Sequence, residues 1–263
     1  MAIDYLLAYP CDAQRTLGAE KLVELHRTRV LARSMLLHMR NDGDEREPSQ
    51  VEIQLTMRQP DGDSGRGVSL QDLINESAPL DQVSDACKTC PAGYTHEFGC
   101  HRRIRYPIPE RVEEWLMARL PANLQCSAGA LLVRGLGEFA WDGAPAARLR
   151  ASGTTYFESR APYGVRWAAE DGSTIEMSSD QLFQMMFMVG PLNPAHCLML
   201  ALFTGVIPHD TPLVDLKDAA GRERALAKAA PPTDPDPEIE QLAAFLRALL
   251  VASRLEVPIL VDG

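Results

Sequence analysis

Three of the six cysteines in this 263-residue chain fall within fourteen positions, in Cys87-Lys-Thr-Cys90 and Phe98-Gly99-Cys100-His101, with His96 between them. The spacing Cys-x2-Cys-x9-Cys has a chemical meaning. A two-residue gap lets one tight loop turn both sulfurs toward a common centre, as in zinc and iron–sulfur sites. Pro91 after the pair and Gly99 before Cys100 suit sharp turns around an ion. A metal held by Cys87, Cys90 and Cys100 is therefore expected. For the fourth ligand the spacing favours His96, because closing a short loop costs less entropy than recruiting a distant residue. His101 directly follows Cys100, and neighbours on an extended strand point to opposite sides. His101, Cys126 and His196 are the alternatives. Zinc is the expected ion, since three cysteines and one histidine form an accepted structural set. An iron–sulfur cluster is the alternative, although neither ferredoxin spacing is present. A thioredoxin-type redox pair would open a helix after a strand, whereas Pro91-Ala-Gly93 follows this one.

The remaining reactive side chains read as ordinary. Cys197 lies in an apolar helical stretch, where cysteine is usually a small buried residue. Cys11 and His26 have no partner nearby in sequence and read as structural. The run His101-Arg102-Arg103-Ile104-Arg105 is the densest basic one. Arg102, Arg103 and Arg105 could form an anion-binding patch for nucleic acid or phosphate, but pairing with the chain's excess carboxylates is the simpler expectation. There is no Gly-x-Ser-x-Gly, phosphate loop, dinucleotide fingerprint or His-Glu-x2-His. The His-x-Glu of a zinc deaminase is also missing. The cysteine segment resembles the retroviral-type zinc knuckle, Cys-x2-Cys-x4-His-x4-Cys, in overall span. Here the order is Cys87-x2-Cys90-x5-His96-x3-Cys100, with the histidine displaced by one, and the resemblance extends no further along the chain.

The elements that must position these residues can be read from periodicity and punctuation. Residues 2–9 predict a strand stopped by Pro10, and the apolar stripe Leu17, Leu22, Leu25, Leu36, Met39 predicts a helix over 16–40. Val51 to Met57 alternates as a half-buried strand, with Gln59 to Gly65 as a turn or exposed loop. Ser69 should cap a short helix with Asp72 at its third position. A strand is expected over 104–108 and a helix over 110–120, while 124–140 is ambiguous because of its glycines. Residues 153–177 predict a three-stranded meander: Thr154–Glu158, Val165–Ala169 and Ser173–Met177, with turns at Ala161-Pro-Tyr-Gly and Glu170-Asp-Gly. Ser178 and Asn193-Pro194 should start the two buried helices of a hairpin over 178–206. A polar helix is expected over 216–229, and an amphipathic helix plus a terminal strand after the proline-rich stretch.

The chain is thus expected to be α+β, with a main domain over 1–230 containing the metal-binding segment 85–106. A linker follows at 231–237, and 238–263 is read as a semi-independent docking element. A formal charge of −10 and a pI near 5.1 argue against charge-driven binding to nucleic acid or anionic membranes. No run of about eighteen apolar residues predicts a membrane span, and the N-terminus lacks the basic start of a signal peptide. The cysteines are accordingly expected as thiols or ligands in a cytoplasmic protein. The functional expectation is a zinc-containing regulatory or protein-interaction module. Its partner would be another protein, or a second copy held through the C-terminal helix. The rivals are a metal-dependent or iron–sulfur redox enzyme and a nucleic-acid binder.

Overall fold

A computed structural model describes residues 2–59, 62–94, 96–139, 141–168 and 172–262, with backbone alone for 55–59 and 62–64. The fold is α+β. In chain order the elements are β1 (Ala2–Leu7), α1 (Asp12–Leu17), α2 (Ala19–Asn41), β2 (Glu52–Gln59), β3 (Gly62–Ser69), α3 (Leu70–Ser77), β4 (His101–Arg105), α4 (Glu110–Met117), α5 (Ser127–Glu138), α6 (Ala144–Ala151), β5 (Gly164–Ala168), β6 (Thr174–Ser178), α7 (Ser179–Phe187), α8 (Pro194–Phe203), α9 (Ala219–Ala227), α10 (Pro237–Leu255) and β7 (Ile259–Asp262). The chain divides into two compact units. One is Pro10–His101; the other joins Met1–Tyr9 to Arg102–Gly263.

In the Pro10–His101 unit, the single helix expected over 16–40 is two. Gly18 adopts φ 77° between α1 and α2, a conformation that side-chain-bearing residues resist, so the helix axis is interrupted there. The longer α2 packs on α3. Their shared core holds Ala32, Met39, Val51, Ile53, Leu70 and Leu73. Ser69 caps α3 by accepting the backbone N–H of Asp72 at 3.0 Å, as its sequence signature requires. The stretch expected to be turn or loop is largely strand. β3 pairs antiparallel with β2 in the register Glu52↔Ser69, Ile53↔Val68, Gln54↔Gly67. A lone strand leaves its backbone groups unpaired, and even a glycine-rich neighbour can satisfy them. Of the expected turn, residues 60 and 61 lie outside those described. Past α3 the backbone runs through 3-10 turns at Ala78–Gln82 and Ser84–Thr89 into the cysteine loop. The buried Arg29 ties these turns to α2, donating to the Ser77 carbonyl at 2.8 Å and to Asp81 Oδ1 at 2.7 Å.

In the other unit, β1 is the central strand of a three-stranded sheet in the order β4-β1-β7. β7 runs antiparallel to it, Tyr5 opposite Val261 and Leu7 opposite Ile259. α10 packs on α8 and α4, with Leu242, Phe245, Leu246 and Leu249 fully buried. Each such side chain contributes about 1.5–3 kcal/mol by leaving water. The sequence boundary at 231–237 is therefore not where contacts divide the chain. The apolar face that the sequence offers to a partner is covered by the chain's own helices. Linker residues are also tied down: Pro232 accepts from Arg247 Nη1 at 2.6 Å, and Asp236 caps α10.

Two further expectations change in this unit. Residues 124–140 resolve into α5, whose Gly129 could not carry a side chain because a Cβ would fall 2.5 Å from the Leu124 backbone; Ala140 lies outside the described residues. The meander reduces to one hairpin, β5 with β6, in the register Val165↔Met177, Trp167↔Ile175. Thr154–Glu158 forms no strand; Phe157 alone makes a bridge, to Ile108. Its backbone is spent on that connection, the Tyr156 carbonyl accepting from Ile108. The turn expected at Glu170-Asp-Gly falls on residues 170 and 171, outside those described. α7 starts on a reciprocal capping box of Ser178 and Gln181, and Asn193 caps α8. Among the described residues, no helix is long and apolar enough to cross a membrane.

Candidate metal centre

The cysteine loop is built from short-range backbone bonds. The Cys90 N–H donates to the Cys87 carbonyl at 3.3 Å, Gly93 to Cys90 at 3.1 Å, and Gly99 to His96 at 3.2 Å. Phe98 is buried in the left-handed region at φ 55°, a conformation that costs a non-glycine residue free energy. That backbone aims the Phe98 N–H at Cys87 Sγ, 3.2 Å away, a bond that stabilises a thiolate over a thiol. Gly99 is required by close approach. A Cβ there would lie 2.6 Å from Tyr94 Cβ and 2.8 Å from His96 Nε2.

Cys87, Cys90 and Cys100 line one small cavity, with His96 and Tyr94 on its wall and Ala13 and Leu22 contributing apolar surface. Cys11 lines the same cavity. The sequence gives no signal for this residue, which reaches the loop because α1 packs against the turn Ser84–Thr89 that carries Cys87. Cys100 is buried and the other three are half-buried.

Burial first, and then the neighbouring Cys11, Cys87 and Cys90, push the Cys100 thiol up to about 12. Cys87 is raised as well, first by burial, with the Phe98 N–H opposing. Crowded thiols of this kind cannot all ionise in a low-dielectric setting unless a cation shares the space. As placed, no group of three or more His, Cys, Asp or Glu side chains among the described residues is arranged to hold a metal ion. The metal-binding loop of the sequence reading thus has cysteines gathered about a cavity, and no formed coordination shell.

The other sequence candidates are engaged elsewhere or stand apart from the cavity's lining. His101 is buried, its Nδ1 2.8 Å from Nδ1 of His26, the two rings meeting edge-on at an interplanar angle of 75°. Cys126 sits at the start of α5 and accepts the Gly129 N–H at 3.4 Å; like His196, it belongs to the second unit. His196 packs beside Trp141, ring centres 5.9 Å apart, and burial lowers its pKa. Cys197 is buried in α8 and pushed up to about 12 by that burial. Of the basic run, Arg103 Nε lies 3.4 Å from Asp4 Oδ1, and Arg102 adds a minor contribution to the lowering of the Glu240 carboxyl, which is due first to its hydrogen bond from Arg247. Arg105 is exposed, its backbone N–H donating to Gln241 Oε1 at 2.8 Å.

Sequence reasoning also missed a second buried polar cluster, in the unit that holds α4, α6 and α7. Arg150 Nη2 meets Glu113 Oε2 at 2.6 Å and Asp180 Oδ1 at 2.7 Å. Its Nη1 donates to the Ser159 carbonyl at 2.7 Å, and Ser179 Oγ donates to Glu113 Oε2 at 2.5 Å. The guanidinium also stands over the Phe157 ring, 4.0 Å from its centre. Every member is satisfied by protein groups, which marks the cluster as a clamp among three helices. No protein-family model matches this chain, no curated protein is similar to it, and no solved structure matches it.

Proposed function

We propose that the protein is a zinc-binding module in which Cys87, Cys90 and Cys100 hold an ion that fixes the segment after α3. The observation that carries this reading is their convergence on one cavity. That segment is built mainly of turns, and a structural ion supplies the cross-link such a stretch lacks. Binding would draw the thiols together and release their protons, so affinity rises with pH. The absence of either ferredoxin spacing among these cysteines supports zinc over an iron–sulfur cluster. A regulatory or interaction role follows for a site closed by protein ligands, since catalytic zinc keeps a position open to water or substrate. The test is metal analysis and an absorption spectrum of anaerobically purified protein. One zinc per chain and no visible colour is the expected result. A brown protein containing iron and sulfide would transfer the site to redox chemistry, and metal-free protein that takes up no zinc would end the reading.

A further inference from the structure

Resting on that reading, we infer that Cys11 is the fourth ligand, making the site an all-cysteine one that joins the start of α1 to the loop. The candidate nearest in sequence is His96, and both line the cavity. They differ in what surrounds them. His96 is exposed, while Cys11 is half-buried beside the three other thiols. Cys11 occupies the N-cap position of α1, where a polar side chain normally accepts a helix N–H, yet its side chain makes no such bond. The backbone carbonyl of Cys11 alone supports the helix, accepting from Arg15 at 2.9 Å. The thiol is therefore not consumed by local structure.

The chemistry follows from the donor set. Four thiols and one zinc ion give a tetrahedral complex of charge −2 and four protons released. A set of three thiols and a neutral imidazole gives charge −1 and three protons. Thiolate donors favour zinc, cadmium or copper(I) over magnesium and calcium. The extra negative charge is one that N–H donors offset, and the Phe98 N–H already points at Cys87 Sγ. A ligand at position 11 also makes the ion a clasp between α1 and the loop, closing a far longer stretch of chain than Cys87 to Cys100.

The experiment compares zinc affinity, and the absorption of the cobalt(II)-substituted protein, in wild type, Cys11→Ser, His96→Ala and Cys90→Ser. Expected is a loss of about 100-fold or more in zinc affinity for Cys11→Ser, beyond the loss from removing an outer partner, with an altered cobalt spectrum. His96→Ala should bind as wild type. If His96→Ala is the variant that loses affinity and Cys11→Ser is not, the assignment of Cys11 is wrong while the metal reading stands. If Cys90→Ser binds as wild type too, or wild type binds neither ion, the metal reading fails and takes this inference with it. Should Cys11→Ser not fold, X-ray absorption of the wild-type zinc protein decides alone. A shell of four sulfurs at about 2.3 Å is expected, and three sulfurs with one nitrogen at about 2.0–2.1 Å overturns the assignment.

Discussion

Arg150 and Cys100 are both buried among groups that water would otherwise solvate, one in each unit of the chain. Around Arg150 the three guanidinium nitrogens all meet oxygens of Glu113, Asp180 or Ser159 at 3.0 Å or less. Opposite charges and hydrogen bonds hold the guanidinium charged, the Arg150 pKa being raised by these partners despite desolvation. Around Cys100 the neighbours are like groups: three thiols, each of which discourages ionisation of Cys100. The first cluster is complete with what the chain supplies. The second is completed, on the proposal made above, by an ion from outside. Burial of a polar group is thus not one kind of feature, and the identity of its neighbours tells a clamp from a binding site.

The comparison can be broken most forcefully at Arg150. Arg150→Met strands two buried carboxylates, and a loss of about 3–5 kcal/mol is expected, read by urea unfolding, with zinc content per folded chain unchanged. A loss under about 1 kcal/mol would show that the cluster clamps nothing. The cysteine site should respond to the ion in the same way that the clamp responds to its arginine. Zinc at a thousandfold excess over its dissociation constant should add about 4 kcal/mol to stability. The gain should be absent in Cys100→Ser, and equal melting of wild type with and without zinc would remove the contrast.

Smaller effects sharpen it. Gly99→Ala forces a methyl group against Tyr94 and His96. A cost of about 1–3 kcal/mol is expected from such overpacking, accompanied by weaker zinc binding. Full zinc affinity in this variant would mean that the loop does not need its present shape. Cys197 supplies the control thiol, buried like Cys100 and likewise raised to about 12 by burial, but with no neighbouring thiol contributing. Its folded pKa lies above the ordinary 9.0, so its contribution to stability is full below about pH 9 and lost as pH rises through about 12. Wild type should therefore lose roughly 1 kcal/mol more than Cys197→Ala between about pH 8 and about pH 10. Identical alkaline slopes for the two proteins would refute the assignment of that shift to Cys197.

What the amino-acid sequence determined by itself was local. Ser69 with Asp72, Ser178 with Gln181 and Asn193 with Pro194 set helix starts, because a cap needs only a side chain and an N–H two or three residues on. The pairing of Cys87 with Cys90, and the α+β class, rest on equally short spacings and on periodicity. Tertiary structure decided the rest. It brought Cys11 to the cysteine cavity and set His26 against His101. It gathered Glu113, Arg150 and Asp180 from three helices, and turned α10 inward against α8. Each of these contacts joins residues whose separation along the chain carries no geometric information. Only the packing of the intervening helices fixes which of many entropically similar closures is made.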